Sequence, residues 1–467
     1  MTLRKPPFTV APHITELAQG LQQAGGRALV VGGFVRDCLL GLDSKDYDLE
    51  VYGLPLAALE RVLGRFGEVV AIGRAFGVLR VKGLDADISI PRRDSKVGPG
   101  HRGFLVELDP TLDFPQASRR RDLTINSMGY DPLSGEVLDP WSGRQDLEAG
   151  RLRATDPGHF SEDSLRGLRV AQFHARFEME PDAELRRLCA QLDLSDLPGE
   201  RLFEELKKLL LKARRPSLGF ELLRETGLLR FFPELAAMVG VPQDPEWHPE
   251  GTVWEHTLLV VDRAAELRSG SGDEAEADLV LMLGALCHDL GKPATTALID
   301  GRVRSPEHEE VGVPIAHALL ERLRVAHHVS TQVEALVRHH LAPALLVKGG
   351  ATPKAYRRLA RKLHEAGIDA HTLHRVAQAD HFGRTTPDAL AREFPAGDAF
   401  LAQMEQLTPP GQEVRDVVLG RHLIARGYRP GPSFGPLLAA CRDLQDETGW
   451  DDPEQILDRV LAALTPP

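Results

Sequence analysis

The apolar residues of this chain change period near residue 155, and that change limits what the chain can fold into. Before it, β-like runs (ALVV at 28–31, GEVVAIG, GVLRVKG, ADISI) mix with helical spacing, as in a small α/β unit. After it, EDSLRGLRVAQFHARF, PDAELRRLCAQL and ERLFEELKKLLLKA repeat apolar residues at i, i+3 and i+4. The expected fold class is therefore α+β, a small mixed unit followed by helices. The chain's 467 residues leave room for roughly three domains. VGVPQDPEWHPEG (239–251), rich in Pro and acid, reads as a linker or long loop. Residues 252–385 are helical again and hold most of the histidines, and RSGSGDEAEAD (268–278) reads as a surface loop. A Pro-containing stretch at 393–400 leads to the last helical segment, where RGYRPGPSFG (426–435) is a turn between two helices.

With 42% hydrophobic and 27% charged residues this is an ordinary globular composition. No run of 18 apolar residues predicts a membrane span, and the N-terminus lacks the apolar region of a secretory signal. Cys38, Cys189, Cys287 and Cys441 are too scattered for a disulfide framework or a zinc pair, so a cytoplasmic location is expected. The net charge of −12 argues against a surface coated in positive charge, but a local basic groove would suffice for nucleic acid. Three basic runs could supply one: Arg119-Arg120-Arg121, KKLLLKARR (207–215) and KAYRRLARK (354–362). The last two are equally compatible with solvated helix faces.

In KDYDLEV the strand period of two puts Asp46 and Asp48 on one face. Two carboxylates so close repel unless a cation lies between them, and Mg²⁺ takes such oxygens together with substrate phosphates. Upstream, ALVVGGFVRD reads as strand, Gly-Gly turn and helix start. Gly32 and Gly33 would let a triphosphate approach the backbone, with Arg36 in reach of a phosphate. Asp87 in GLDADISI could join the pair from a neighbouring strand, giving three carboxylates for two metals in an in-line phosphoryl displacement.

These motifs carry a resemblance. GGFVRDCLLG with KDYDLE, RRRDLTINSMGYDP (119–132), DPWSGRQDLEAGRLR (139–153), SEDSLRGLRVAQF (161–173) and ERLFEELKKLL (200–210) occur in one order. In that order they resemble the class II tRNA nucleotidyltransferases (CCA-adding enzymes) and bacterial poly(A) polymerases. The resemblance implies a DNA polymerase beta-like nucleotidyltransferase head over 1–155 and a helical neck over 156–238. It also implies Mg²⁺ on Asp46 and Asp48, with Asp87 activating an RNA 3′-hydroxyl. Arg121, Asp122 and Asn126 would be ribose and phosphate contacts, and Arg169 a further nucleotide-binding residue. A helix would set Asp163 and Arg166 on one face to read the edge of C or A, with Glu162 orienting the arginine; an i, i+3 salt bridge is the bland alternative. The partners so implied are CTP, ATP and a tRNA 3′ end. FPQAS before the basic motif departs from the acidic residues and leucine of many relatives. The segment between Asp87 and Arg121 is long enough for the family's flexible loop.

A second constellation follows. WEHTL brings His256, LCHDLGK brings His288, Asp289 and Lys292, PEHEEVG brings His308, LVRHHL brings His339 and His340, and AQADHFGR brings Asp380. A His-Asp pair in the apolar run LVLMLGALCHDLGK is costly to bury without a partner, and a divalent metal would supply one. The order resembles the HD phosphohydrolase superfamily, over 239–392, with a helical RNA-binding tail over 393–467. It implies hydrolysis of phosphate esters, such as 2′,3′-cyclic phosphates or 2′-phosphates at RNA ends. His256, His288, Asp289 and Asp380 would hold Mg²⁺, Mn²⁺ or Ni²⁺. Lys292, His308 and one of His339 or His340 would take a second metal or the substrate phosphate. In the tail, Arg421, Arg426 and Arg429 could meet RNA phosphates, or the segment is a plain helix hairpin. Two rivals stand beside this reading. One is a poly(A) polymerase, although LDRVLAALTPP is not the basic extension those enzymes often carry. The other is an HD protein with a silent, RNA-holding head.

Overall fold

The computed structural model describes residues 3–42, 44, 46–73, 77–96, 104–270, 274–409 and 415–464; residues 97–103 of the expected flexible loop lie outside them. The chain divides into two compact units, residues 1–209 with 218–231, and residues 210–217 with 232–467.

The first unit is built on a seven-stranded mixed sheet. Its strands are β1 (Arg27–Val31), β2 (Tyr47–Tyr52), β3 (Val69–Gly73), β4 (Val78–Val81), β5 (Ala86–Ser89), β6 (Gly129–Tyr130) and β7 (Val137–Leu138), in the order β3-β4-β5-β2-β1-β6-β7. Every neighbouring pair is antiparallel except β2 and β5, which run parallel with Asp48 directly opposite Asp87. Four of the five β1 residues are buried, as an interior strand with both faces covered requires. Leu29, Val31 and Tyr52 pack on Leu112, Phe114 and Ala117. Between β1 and α1 (Gly33–Leu39) the chain turns at Gly32 with φ 74°, a left-handed conformation that favours glycine. A Cβ there would also stand 3.0 Å from Arg121 Nη1, so the close approach of that guanidinium needs the missing side chain. Beyond the sheet, α2 (Arg166–Phe177) and α3 (Gly199–Lys212) are among the helices that the 3.6-residue period predicts.

Among its described residues the second unit is nearly all helical, with one short hairpin, β8 (Ala297–Ile299) and β9 (Arg302–Arg304). Its centre is α5 (Ala275–Cys287), buried continuously from Asp278 to Cys287, which explains a run too apolar to show amphipathic spacing. Around it lie α4 (Val253–Glu266), α7 (His327–His339) and α10 (Ala370–Gly383). Further along are α6 (His308–Arg322), α8 (Ala342–Lys348), α9 (Pro353–Glu365) and α11 (Phe434–Thr448). Where α5 ends, Gly291 presses on the start of α6, and a Cβ there would lie 2.0 Å from the His308 carbonyl oxygen.

Three local expectations change. Residues 239–251 are no bare linker, because Gln243, His248 and Glu250 turn inward toward the histidine cluster described below. Within 268–278, Asp278 already belongs to α5 and accepts from the Ser269 and Gly270 amides and from Arg375. The KAYRRLARK run neither stands free for RNA nor is merely solvated. Arg358 pairs with Asp443 at 2.7 Å, Lys354 with Glu447 at 3.8 Å, and Arg361 with Asp446, all three acids lying on α11. Arg357 donates to the Asp446 carbonyl. The expected hairpin turn does fall between Gly420–Ala425 and α11, but Arg426 is taken up by Glu454 and Asp458. No cysteine forms a disulfide, and among the described residues no helix is long and apolar enough to cross a membrane.

Gly291→Ala should cost about 2 kcal/mol of stability in urea unfolding of the full chain, because backbone rather than a flexible side chain occupies the space.

Candidate active sites

In the first unit the site begins at the mouth of β2. Asp46 immediately precedes the strand, Asp48 is its second residue, and Asp87 comes across from β5. The same parity continues to Glu50, which is fully buried and accepts from the Tyr52 hydroxyl at 2.6 Å and Arg120 Nη2 at 3.0 Å. Burial alone would raise the Glu50 carboxyl, but Arg121 and Arg120 hold it below its ordinary value. Asp48 goes the other way. Desolvation raises it, Arg121 opposes, and Asp87, Asp46 and Glu50 add to the rise. Asp87 is paired with the exposed Arg80 at 2.5 Å. Negative charge is thus concentrated at one strand end with Arg121 facing it, a donor set of hard oxygens that suits Mg²⁺.

Arg121 and Asp122 part company. Arg121 stands against Gly32 and Asp48, and its Nε is buried with no hydrogen-bond partner. Asp122 turns inward, accepting from the Leu123 amide, Asn126 Nδ2 at 3.0 Å and Arg169 Nε at 2.7 Å. Burial would raise Asp122, yet Arg169 and these bonds push it down to about 2. Arg169 also lies 3.6 Å from Glu205 of α3.

Two expected contacts sit deeper than predicted. Arg36 is only 4% exposed; it bonds Asp37 and Asn126 and lies 5.1 Å and 4.9 Å from the centroids of Phe173 and Phe177. Its guanidinium holds α1 against α2 rather than projecting toward solvent. Asn126 is 5% exposed and occupied by Arg36 and Asp122.

Asp163 and Arg166 do not share a helix face, because α2 begins only at Arg166. Asp163 lies in the preceding turn, where its side chain accepts from the Leu165 amide and its carbonyl from the Arg166 amide. Its carboxylate meets Arg201 of α3 at 3.1 Å. Arg166 donates to the His159 and Arg120 carbonyls, and these fix its plane where Glu162 was expected to. Glu162 is half-buried in the same turn.

In the second unit the buried helix α5 delivers His288 and Asp289 at its end. His288 Nε2 lies 3.2 Å from Asp289 Oδ2, and His308 Nε2 lies 3.3 Å from Asp289 Oδ1 and 3.3 Å from His340 Nε2. His256 Nε2 lies 3.0 Å from Asp380 Oδ1 and 3.9 Å from Asp289 Oδ2. The outward nitrogens are all engaged. His288 Nδ1 faces the Ala285 carbonyl, His308 Nδ1 that of Ser305, and His340 Nδ1 that of Val337. His256 Nδ1 faces Glu250 at 2.8 Å. Carbonyls can only accept, so these three Nδ1 atoms carry a proton, and in all four rings Nε2 is the atom turned inward.

Asp289 is 1% exposed, and both its carboxylate oxygens, like His288 Nε2, have no hydrogen-bond partner. Lys292 approaches Asp289 at 2.7 Å as an ion pair and donates to Gln243. Burial opposes ionisation of Asp289, but His288 and Lys292 hold its carboxyl well below the usual range. Burial, with His288 and His308 alongside, pushes His340 down to about 3. Imidazole Nε2 atoms and buried carboxylates facing one point fit a divalent metal, and the groups His256–His288–Asp289 and Asp289–His308–His340 each bring their ligand atoms within 4.8 Å. His339 points elsewhere, beside Lys362 and Arg338. Of the neighbouring pair, His340 is the one in the cluster.

Sequence reasoning missed Glu50, Arg201 and Glu205 in the first unit. In the second it missed His248, Glu250, Gln243 and Arg384, the last 3.4 Å from Asp380. Glu50 was available from the alternation of KDYDLEV. His248 and Glu250, which share a 2.8 Å contact, were hidden in a Pro-rich stretch.

Comparison with known proteins bears on both sites. Residues 28–153 match the poly A polymerase head domain, 176–239 the probable RNA and SrmB-binding site of polymerase A, and 253–372 the HD domain. The multifunctional CCA protein of Thioalkalivibrio sulfidiphilus is 36% identical over 375 residues, 77% of this chain and 85% of that one. That of Xanthomonas campestris pv. campestris (strain B100) is 34% identical over 440 residues, 88% and 96% of the two chains. Among solved structures, a CCA-adding enzyme complexed with ATP matches with TM-score 0.60 and 20% identity over 97% of this chain and 95% of that one. The Thermotoga maritima CCA-adding enzyme complexed with tRNA matches with TM-score 0.58 and 20% identity, over 98% and 97%. These two likenesses establish the fold.

Because Asp122 is lower folded (about 2) than its ordinary 3.8, its ionisation stabilises the folded chain above pH 3.8 and ceases to as pH falls through 2. Asp122→Asn should therefore weaken hydrogen-exchange protection of residues 122–126 by about 2 kcal/mol at neutral pH, with the difference closing below pH 3.8.

Proposed function

Since the chain belongs to the multifunctional CCA protein family, we propose that it adds C or A nucleotides, or both, to the 3′ end of tRNA from CTP and ATP in the cytoplasm. A second, HD-type site hydrolyses phosphate esters at RNA ends. The observation that carries the first activity is the carboxylate set at one strand end, with Asp48 across from Asp87 and Arg121 over Gly32. The proposed division is a head over 1–155, a neck over 156–238, an HD domain over 239–392 and a tail over 393–467.

Asp46 and Asp48 would hold Mg²⁺, which when bound neutralises triphosphate charge. Asp87 accepts the proton of the attacking 3′-hydroxyl once it is released from Arg80. Gly32 and Gly33 leave space for the triphosphate, and Arg121 faces its charge. Arg36, Asp122, Asn126 and Arg169 act from inside, as the frame that fixes Arg121 and the start of α2. Asp163, braced by Arg201, and Arg166, with its remaining N–H donors, read the base edge.

At the second site His256, His288, Asp289 and Asp380 would hold a divalent metal, with His308 and His340 completing a second position. When bound, such a metal polarises the phosphate ester and makes a water acidic enough to attack near neutral pH. Lys292 neutralises charge beside Asp289, and Glu250 keeps His256 in the tautomer that presents Nε2.

Pure protein with Mg²⁺ and tRNAs ending before CCA, after C and after CC, given CTP, ATP or both, should extend stepwise and stop at CCA or at one of its parts. Long A tails would instead make it a poly(A) polymerase. Asp46→Ala or Asp48→Ala should lower addition by about a thousandfold or more while phosphohydrolysis persists; joint loss of both activities would refute two separate sites. Glu250→Ala should weaken metal binding to the full chain by about tenfold to a hundredfold in calorimetry.

A further inference from the structure

The histidine cluster has an apolar, aromatic border that the metal chemistry does not use. Trp247 is 50% exposed, yet its backbone is pinned. Its amide and that of His248 both bond the Asp244 carbonyl, at 3.1 Å and 2.9 Å. Asp244 and Glu246 are clamped by Arg302 of the β8–β9 hairpin. His248, the next residue, packs its ring 4.6 Å from that of His256 and shares Glu250 with it. Next after the cluster's His340 along the chain is α8, which begins two residues later. Its last residue, Lys348, sets its ammonium 5.9 Å from the Trp247 ring centroid. Leu345, one helical turn earlier on the same face, is 59% exposed.

A large indole held open to solvent on a braced loop, with a cation over it and an exposed leucine one turn along that cation's helix, is a surface that a flat heterocycle can stack on. We infer that Trp247, with Leu345 and Lys348, is the base-binding platform of the HD site. It would select esters in which a nucleobase is carried next to the scissile phosphate, Lys348 meeting the charge of the nucleotide. The inference deepens the phosphohydrolase reading and rests on it.

The test compares wild type with Trp247→Ala and Trp247→Phe as full chains supplied with Mn²⁺ or Ni²⁺. The substrates are adenosine 2′,3′-cyclic monophosphate, a short RNA ending in a 2′,3′-cyclic phosphate, and glycerol 1,2-cyclic phosphate, which has no base. Trp247→Ala should raise KM for the nucleotide about tenfold to a hundredfold, the scale of one base–aromatic stack, with kcat little changed. Trp247→Phe should restore most of the loss, and the base-free ester should be hydrolysed equally by all three. Calorimetry should show the same loss for binding of adenosine 2′-monophosphate and none for inorganic phosphate. A loss on the RNA end but not the free nucleotide assigns the platform to RNA. An equal loss on all substrates overturns the proposal by making Trp247 a structural support, and unchanged kinetics with active wild type overturns it alone. Wild type inactive on every ester overturns the phosphohydrolase reading together with it.

Discussion

Carboxylates brought to one place, at a strand end in the first unit and in the buried core of the second, are the constraint around which each unit is arranged. Two like charges about 4 Å apart repel by about 4 kcal/mol at the dielectric typical of protein sites. Such a pair persists only where the surrounding frame is rigid. At the end of α5 the frame is the helix core itself, buried continuously over ten residues. Asp289 is buried, and Lys292 and the imidazoles of His288 and His308 converge on it. The carbonyls behind those imidazoles then decide which nitrogen faces inward.

In the first unit the frame is a sheet with one parallel pair. Antiparallel neighbours come cheaply from short turns, whereas the β2–β5 pairing needs a crossover, made here through β3 and β4. That crossover is what sets Asp87 beside Asp48. Beside it, a layer of buried ion pairs and hydrogen bonds (Arg36 with Asp37 and Asn126, Asn126 with Asp122, Asp122 with Arg169, Arg169 with Glu205) joins α1 and residues 122–126 to α2 and α3. Removing one partner would leave another charge buried alone, so this layer tolerates little change.

Much of this was legible in the sequence, for stateable reasons. Period two gave the strand that carries Asp48, and period 3.6 gave the helices. The charge of a His-Asp pair inside an apolar run pointed to a partner at α5. What sequence could not give is which charged residue meets which across long separations. Arg36 looked like a phosphate ligand because an arginine after Gly-Gly is near a phosphate in a local reading. It is interior because Phe173 and Phe177, more than 130 residues away, receive it. The choice of His340 over His339 depends on one residue of rotation at the end of α7. The turn at Asp163 was read as helix because an aspartate in the turn before a helix and one in its first turn are spelled alike. Glu250 was hidden by its setting, since Pro and acid usually mean solvent.

The tail has its own small core of Val418, Leu423, Leu437, Cys441, Ile456, Leu457 and Val460. Its junction with α9 is different in kind, a ladder of cations meeting acids and backbone carbonyls. Apolar interfaces must be repacked when a partner changes, and intermediates on that path lose stability. A ladder of charges can be re-spelled one rung at a time, each exposed rung worth a fraction of a kcal/mol. The exposed rungs of this junction are therefore free to diverge by small steps around the buried Arg361–Asp446 pair, and a lineage could alter the length or reach of its tail while the histidine-bearing helices kept their packing unchanged.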